Sequence, residues 1–281
     1  MCYGVTPMMP RSAALVLVCA FLLACSEKKK EPEPPPAPVA ELSNQETIAL
    51  EATPGSTPSL TDTTEPAPAP VAGLPGAPGP SPAYGPVNAP VRVYVLTDFQ
   101  CPVCRRIVEP IKYLARRYPT DVRIIFKQNA LKMHARAAPA AAASIAAFRQ
   151  GKFWAYADRV FELSGLDDDG LVTHGQALGL DAERFKKDMA DPAVVGQVEY
   201  EAALATSFEL GSTPGFIVNG TTQMGWGSYM GLKQAVDREL GRAKEIAAGG
   251  VPPERVAYEA TRQAGPKGEQ FAAGLFPATK K

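Results

Sequence analysis

The sequence has no excess of charge of either sign and almost no histidine. Its 29 basic and 29 acidic residues balance, so electrostatics give no reason to expect a nucleic-acid partner. The two histidines, His134 and His174, are far apart, and no second Cys-x-x-Cys pair is present, which excludes the usual four-ligand zinc site. Arg105 follows Cys104, where haem attachment requires histidine. The sequence therefore predicts neither a metal nor an organic cofactor.

Long hydrophobic runs are also missing. The apolar run Ala13–Ala24 has twelve residues, whereas a membrane-spanning helix needs about 20. Together with Arg11 the run is typical of a secretory signal, and the letters LLAC ending at Cys25 resemble the lipobox of bacterial lipoproteins. This resemblance implies a signal peptide over 1–24 and a lipid anchor on Cys25. We expect a periplasm-facing envelope protein, with Ser26 favouring the outer membrane. A plain signal peptide or a short buried helix is the alternative.

Aromatic residues are absent from the stretch that follows Cys25. Residues 26–82 are dominated by Pro, Ala, Gly, Ser, Thr and Glu and show no helical or strand period. Such a segment cannot bury enough apolar surface to offset its conformational entropy. It is therefore predicted to be a disordered tether, with a Pro-rich docking motif as the alternative.

The next part of the chain alternates between strand and helix signals. Val91–Phe99 and Asp121–Lys127 are short apolar segments typical of buried strands. Between them, Cys101–Arg117 places apolar residues on one helical face. A strand, a helix and a strand in this order predict a parallel β-α-β unit and an α/β fold.

A long helical block and a second strand pair follow. Helical signals fill an insertion over about 131–209, and Gly215–Val218 with the turn Asn219-Gly220 predicts a hairpin. A terminal amphipathic helix then completes a folded domain over 83–250. Residues 251–281 are predicted to contain a short helix and a tail.

Cys101 and Cys104 would be the free thiols of the mature chain, since the signal removes Cys2 and Cys19 and lipid blocks Cys25. At the start of a helix they share one face, where unpaired N–H groups and the helix dipole favour a thiolate at Cys101. A thiolate attacks disulfides and is a good leaving group. The spacing predicts dithiol exchange, while a purely structural clip stays open.

The segments TDFQCPVC and GSTPGFIVNG, with the helical block between them, resemble DsbA-like thiol:disulfide oxidoreductases of the thioredoxin superfamily. The resemblance runs from about Val87 to Leu240. It implies a mixed sheet flanked by helices, and a redox-active disulfide Cys101–Cys104. It further implies that Cys101 is the exposed nucleophile, that Cys104 is the buried resolving thiol, and that Thr213 and cis Pro214 present backbone groups to substrate.

Three positions depart from the family pattern. Many members carry an acidic residue where this chain has Val95, so either Lys127, Asp98 or water moves the proton of Cys104, or this thiol is less well activated. Val103 and Thr213 differ from the residues of strongly oxidising relatives. The direction of electron flow therefore stays open.

The two histidines are expected to be peripheral to this chemistry. His134 lies near a position where the family often has histidine, and helix initiation is favoured over catalysis as its role. His174 is predicted to lie at the surface.

The function implied is a cell-envelope thiol:disulfide oxidoreductase. Its partners would be cysteine-containing exported proteins and a membrane redox protein that recycles the dithiol. A reductase or isomerase kept reduced is one alternative. A thioredoxin-fold lipoprotein that only binds partners is another, and copper handling by the two thiols is a minor one.

Overall fold

The computed structural model describes residues 62–162 and 165–277. The predictions of a signal peptide, of a lipidated Cys25 and of a tether over 26–61 lie outside the described residues. The same holds for the end of the predicted tail, 278–281.

A mixed sheet of six strands forms the centre of the described part of the chain. The strands are β1 (Thr63–Glu65), β2 (Ser81–Tyr84), β3 (Val91–Thr97), β4 (Val122–Gln128), β5 (Gly215–Val218) and β6 (Thr221–Met224). Their order is β1-β2-β4-β3-β5-β6. Only the pair β3 and β4 is parallel among these strands, while the other four pairings are antiparallel. The predicted α/β fold is confirmed.

Helices flank this sheet. In the described ranges they are α1 (Pro102–Arg106), α2 (Val108–Arg117), α3 (Ala137–Arg149), α4 (Phe153–Glu162), α5 (Asp168–Ala177), α6 (Ala182–Met189), α7 (Pro192–Ser207), α8 (Tyr229–Ala248), α9 (Pro253–Arg262) and α10 (Gly268–Leu275). Five of them, α3 to α7, lie between β4 and β5 in the chain. They form the predicted helical insertion.

The helix predicted over Cys101–Arg117 is interrupted. Ile107 separates α1 from α2, and its N–H donates to the carbonyl of Cys104 at 3.3 Å instead of continuing the α-helical pattern. Pro110 explains the break, because a proline lacks the N–H that would bond to Arg106 and its ring crowds that carbonyl. The single-helix prediction is wrong at this point.

The two faces of the sheet carry separate cores. Side chains alternate between the faces along each strand. One face, here called the thiol face, includes both cysteines and the strand residues Val93, Val95, Ile124, Phe126 and Phe216. The opposite face, here called the rear face, includes Tyr94, Leu96, Ile125 and Ile217, which pack against α7, α9 and α10.

The predicted tether is wrong over its last part, because residues 62–82 belong to the folded domain. Here β1 and β2 extend the sheet beyond β4. Glu65 is 2% exposed and forms ion pairs with Arg92 and with Arg123, the latter at 2.7 Å. Composition pointed to disorder because these partners lie 27 and 58 residues further along the chain.

The predicted C-terminal tail contains a second helix. The helix expected near Pro253 is present as α9, and α10 then packs under the rear face, with Phe271 and Leu275 buried. Tyr94 Oη donates to the carbonyl of Leu275 at 3.1 Å. The described part of the tail is therefore part of the rear core.

The predicted hairpin between β5 and β6 is confirmed. Asn219 and Gly220 have φ values of 41° and 86°. Two successive positive φ values are typical of a type I′ turn, which suits the twist of paired strands.

Candidate active site

Cys101 caps the N-terminus of α1, directly beyond the C-terminal end of β3. Its N–H donates to the carbonyl of Asp98 at 3.1 Å, and its own carbonyl accepts from Cys104 N at 3.1 Å and Arg105 N at 3.4 Å. Pro102 occupies the first helical position, where its missing N–H costs nothing. The loop and the first helical turn thus fix the backbone of both cysteines.

The loop between α7 and β5 brings a second segment to this point. Thr213–Pro214 is a cis peptide bond, which is the form that the family resemblance implies. Cys101 Sγ donates to the carbonyl oxygen of Thr213 at 3.6 Å. The antiparallel pairing of Gly215 with Leu96 aligns this loop with the end of β3. Residues 101 and 213, far apart in sequence, therefore meet at one edge of the sheet.

Both cysteines are free thiols in this structure. Cys101 retains 7% of its accessible surface and Cys104 retains none. The implied order of burial is present, but Cys101 is not an exposed residue, because the cis-proline loop and the thiol-face core cover most of it. The disulfide itself stays a prediction.

Burial dominates the ionisation of Cys104. Desolvation is the main cause that raises the pKa of its thiol to about 12, and the neighbouring Cys101 acts in the same direction. The Thr97 side chain, the Asp98 backbone and the Thr213 side chain lie where they favour the thiolate, so they act on the pKa in the opposite direction. At neutral pH Cys104 is therefore a thiol that has to lose a proton before it can attack a disulfide.

The Asp98 carboxylate organises the loop around the dithiol. It is buried and accepts from Gln100 N at 2.7 Å and from Leu131 N at 3.0 Å. His134 Nδ1 lies 2.8 Å from the same carboxylate. His134 also stands just before α3, in keeping with its predicted role near a helix start. A proton relay through Asp98 stays a prediction.

Lys127 does not lie on the side of the sheet where a relay would need it. It pairs in register with Leu96, a rear-face residue. Its ammonium donates to Ser81 Oγ at 2.8 Å and to Glu201 Oε1 at 3.0 Å. The proposed relay role of Lys127 is wrong, because strand alternation turns its side chain away from the thiols.

Comparison with known proteins adds to this geometry. A family model described as Thioredoxin matches residues 78–238. The chain belongs to the thioredoxin family. A thioredoxin-like oxidoreductase from Silicibacter pomeroyi DSS-3 has 30% identity and a TM-score of 0.53, over 56% of this chain and 91% of that chain. The thioredoxin fold and the oxidoreductase class that the resemblance implies are thereby confirmed, and the arrangement supports thiol-disulfide exchange.

A second solved structure, the thiol-disulfide exchange protein alpha-DsbA2 from Wolbachia pipientis, has a TM-score of 0.52 at 20% identity. The aligned region covers 56% of this chain and 86% of the Wolbachia chain. At this identity the likeness concerns the thioredoxin fold alone.

A curated relative comes from a different class of protein. The Na(+)/H(+) antiporter NhaA of Herminiimonas arsenicoxydans is 34% identical over 137 residues, which are 48% of this chain and 22% of the antiporter. The chain spans about a quarter of the length of the curated relatives it matches. Within 62–162 and 165–277, no helix has the length and apolar character needed to cross a membrane.

His174 is buried, which corrects its predicted surface position. It lies on α5 with Leu171 and Gly175 on the same buried face. Their i, i+3, i+4 spacing is that of a helix face packed on a core. This spacing is visible in the sequence, but the polar neighbours of His174 favoured the interpretation as a surface residue.

Two residues of this thioredoxin site escaped the sequence analysis, Thr97 and Asn129. Asn129 N donates to the carbonyl of Thr97 at 2.8 Å. Asn129 Nδ2 donates to the carbonyls of Leu210 at 2.9 Å and Ser212 at 3.4 Å. Asn129 thus ties the ends of β3 and β4 to the cis-proline loop. The available signal was their position, as polar residues at the ends of apolar strands.

Proposed function

We propose that this chain is a cell-envelope thiol:disulfide oxidoreductase that exchanges disulfides with cysteine-containing exported proteins. The observation that carries the proposal is the meeting of Cys101 Sγ with the carbonyl of Thr213, 3.6 Å apart, beside cis Pro214. Cys104 lies one helical turn behind, fully buried. A reactive thiol, a resolving thiol and a backbone edge for an extended client chain are then together.

The exchange runs in two steps. In the reducing direction, Cys101 attacks a client disulfide as a thiolate, and a mixed disulfide forms while one client thiolate leaves. Cys104 then loses its proton to water and attacks Cys101 Sγ. The Cys101–Cys104 disulfide forms and the second client thiolate is released, each departing thiolate taking a proton from solvent. The oxidising direction is the same sequence in reverse.

Replacing the resolving thiol tests this proposal. Cys104→Ala should leave client proteins attached to Cys101, because the mixed disulfide has no internal thiol to resolve it. Adducts that disappear on reduction are expected on non-reducing gels of the expressing cells. The double variant Cys101→Ala/Cys104→Ala is the matched control and should carry none.

A binding lipoprotein with a purely structural dithiol is the second candidate. Its supporting observation is the low exposure of Cys101, at 7%. If the Cys104→Ala variant yields no adducts while the protein remains folded, the binding role replaces the catalytic one.

The direction of electron flow is a separate question within the enzyme class. Thr213 and Val103 depart from the residues of strong oxidants, which keeps a reductase or isomerase role open. Equilibration of the Cys101/Cys104 couple with glutathione separates the roles. A potential near about −120 mV favours an oxidant and one near about −270 mV favours a reductant.

The envelope location rests on the sequence before residue 62. Ser26 follows Cys25 in the lipobox-like segment, and we propose that Cys25 anchors the domain to the outer membrane while a membrane redox protein recycles the dithiol. Labelling of bacteria with a radioactive fatty acid should mark the wild-type chain and leave Cys25→Ser unmarked. Equal labelling of both proteins would contradict the proposed lipid anchor on Cys25.

A further inference from the structure

Two buried hydroxyl groups beside the dithiol have no hydrogen-bond partner in the dithiol state. They are Thr97 Oγ1, at the end of β3, and Thr213 Oγ1, in the cis-proline loop. Thr97 is 1% exposed. Buried hydroxyls are normally paired, because leaving them unpaired forfeits the hydrogen bonds they made with water. An unpaired couple at a reactive site therefore needs a reason.

Both hydroxyls belong to residues that contact the same sulfur. The side chains of Thr97 and Thr213 and the backbone of Asp98 interact with Cys104 in the sense that favours its thiolate. A neutral thiol is a weak acceptor, whereas a thiolate accepts hydrogen bonds strongly. The partner that the two hydroxyls lack is therefore supplied when Cys104 loses its proton.

The family's acidic position itself carries no charge in this chain. Val95 stands there, 1% exposed and packed in the thiol-face core. Lys127 points to the rear face and is engaged by Glu201. The Asp98 carboxylate is engaged by Gln100 N, Leu131 N and His134, and the two threonine hydroxyls are neutral donors that can stabilise the charge.

We propose that Thr97 and Thr213 form a two-hydroxyl cradle that stabilises the Cys104 thiolate during disulfide exchange. The inference rests on the proposed function. It applies to both directions, because the Cys104 thiolate is the attacking group when Cys104 resolves a mixed disulfide. It is the leaving group when a client thiolate attacks Cys101 of the internal disulfide.

The resolving step can be observed with 5,5′-dithiobis(2-nitrobenzoate) as the probe. Reduced full-length protein with Cys2, Cys19 and Cys25 replaced by serine is mixed with the reagent, and absorbance at 412 nm is followed. Attack by Cys101 releases the first thionitrobenzoate. Attack by Cys104 on the resulting mixed disulfide releases the second, so the second phase reports the Cys104 thiolate.

Thr97→Val should slow the second phase by about tenfold, the rate effect of losing a charge-assisted hydrogen bond, and leave the first phase within about twofold. Thr97→Ser, which keeps the hydroxyl, should have a second phase as fast as that of the wild type. Thr213→Val should act in the same direction, and the double variant should be slower than either. Thr261→Val is the matched control, since it removes another buried unpaired hydroxyl from α9, and it should change neither phase.

Two outcomes would overturn the cradle: a second phase equal to wild type in both valine variants, or equal slowing by Thr261→Val. A failure of the proposed function looks different, because the first phase would then be missing in every variant. For that case the absorbance of the Cys104 thiolate at 240 nm and pH 11, in a Cys101→Ala background, still reports whether the hydroxyls stabilise the thiolate. A several-fold lower thiolate fraction in Thr97→Val supports the cradle, and an unchanged fraction refutes it.

Discussion

The rear face of the sheet holds buried charges, whereas the thiol face beneath Cys104 is apolar. On the rear face, Lys127 pairs with Glu201 at 3.0 Å and Arg123 with Glu65 at 2.7 Å. On the thiol face the corresponding strand positions are valine, isoleucine and phenylalanine. The same strands β3 and β4 supply both faces, because neighbouring residues point in opposite directions.

This contrast separates stability from chemistry. Charges in the rear core connect β1, β2 and α7 to the central strands β3 and β4. The polar groups that reach Cys104 come from the ends of elements, namely Thr97, the Asp98 backbone and Thr213. A change in the rear core should therefore alter folding and spare the thiols, and a change at the sheet edge should do the reverse.

The largest expected effect is on the rear face. Glu201 accepts from Lys127, Ser81 and Gln197, and its second oxygen accepts from Gln128 N. Glu201→Gln leaves the Lys127 ammonium buried without its counter-charge, which should lower the free energy of unfolding by about 3 to 5 kcal/mol in urea titrations.

The control for Glu201→Gln is Glu199→Gln, an exposed position on the same helix. It should change stability by less than about 0.5 kcal/mol. In the folded Glu201→Gln protein, the release of the second thionitrobenzoate should stay within about twofold of wild type. A large loss of thiol reactivity without loss of stability would break the separation of the two faces.

The next effect comes from moving a carboxylate to the thiol face. Val95→Asp buries an acidic group in an apolar core, which should cost about 2 kcal/mol or more of stability. The same carboxylate can accept the proton of Cys104 and should speed the second phase several-fold at pH 7. Val95→Asn, similar in size and uncharged, should show the stability loss without the faster phase. Equal rates in both variants would contradict the role of the charge.

A more gradual effect, of roughly 1 kcal/mol per pH unit, should appear in the pH dependence of stability. The pKa of Cys104 is raised from 9.0 to about 12 in the folded protein, so the unfolded chain ionises first as pH rises. Stability from the neutral thiol is complete below pH 9 and is lost between about pH 9 and 12, at roughly 1 kcal/mol per pH unit. Reduced protein should therefore lose stability more steeply over this range than Cys104→Ala. Parallel curves for the two proteins would contradict the burial of this thiol.

Local patterns in the sequence predicted the parts of the fold that depend on local rules. Val91–Phe99 anticipated β3, since a continuous apolar run suits a strand buried on both faces. Asn219-Gly220 anticipated the hairpin, because those residues tolerate positive φ. The dithiol followed from the spacing of Cys101 and Cys104, and the cis-proline loop from a family pattern.

Long-range partners defeated the same reasoning. Glu65 sits in a Pro- and Ala-rich segment, and its burial depends on two arginines in β3 and β4 that composition cannot reveal. Lys127 lies on β4, a strand close to the thiols. Its side chain nevertheless points to the rear face, because it directly follows Phe126, whose side chain points to the thiol face. Thr97 carried no motif at all. Its place beside Cys104 follows from three-dimensional convergence at the edge of the sheet.

The smallest expected effect concerns charges outside both cores. Arg105 and Arg106 are exposed in the last turn of α1, where solvent and salt screen their fields. The variant Arg105→Gln/Arg106→Gln should change stability by less than about 0.5 kcal/mol and the first thionitrobenzoate phase by less than about twofold at 0.15 M salt. Two results together would mean that surface charge governs the reactivity of Cys101: a tenfold slower first phase in the variant, and a wild-type first phase that added salt slows. The contrast between the two faces would then need a third, electrostatic region at the mouth of the site.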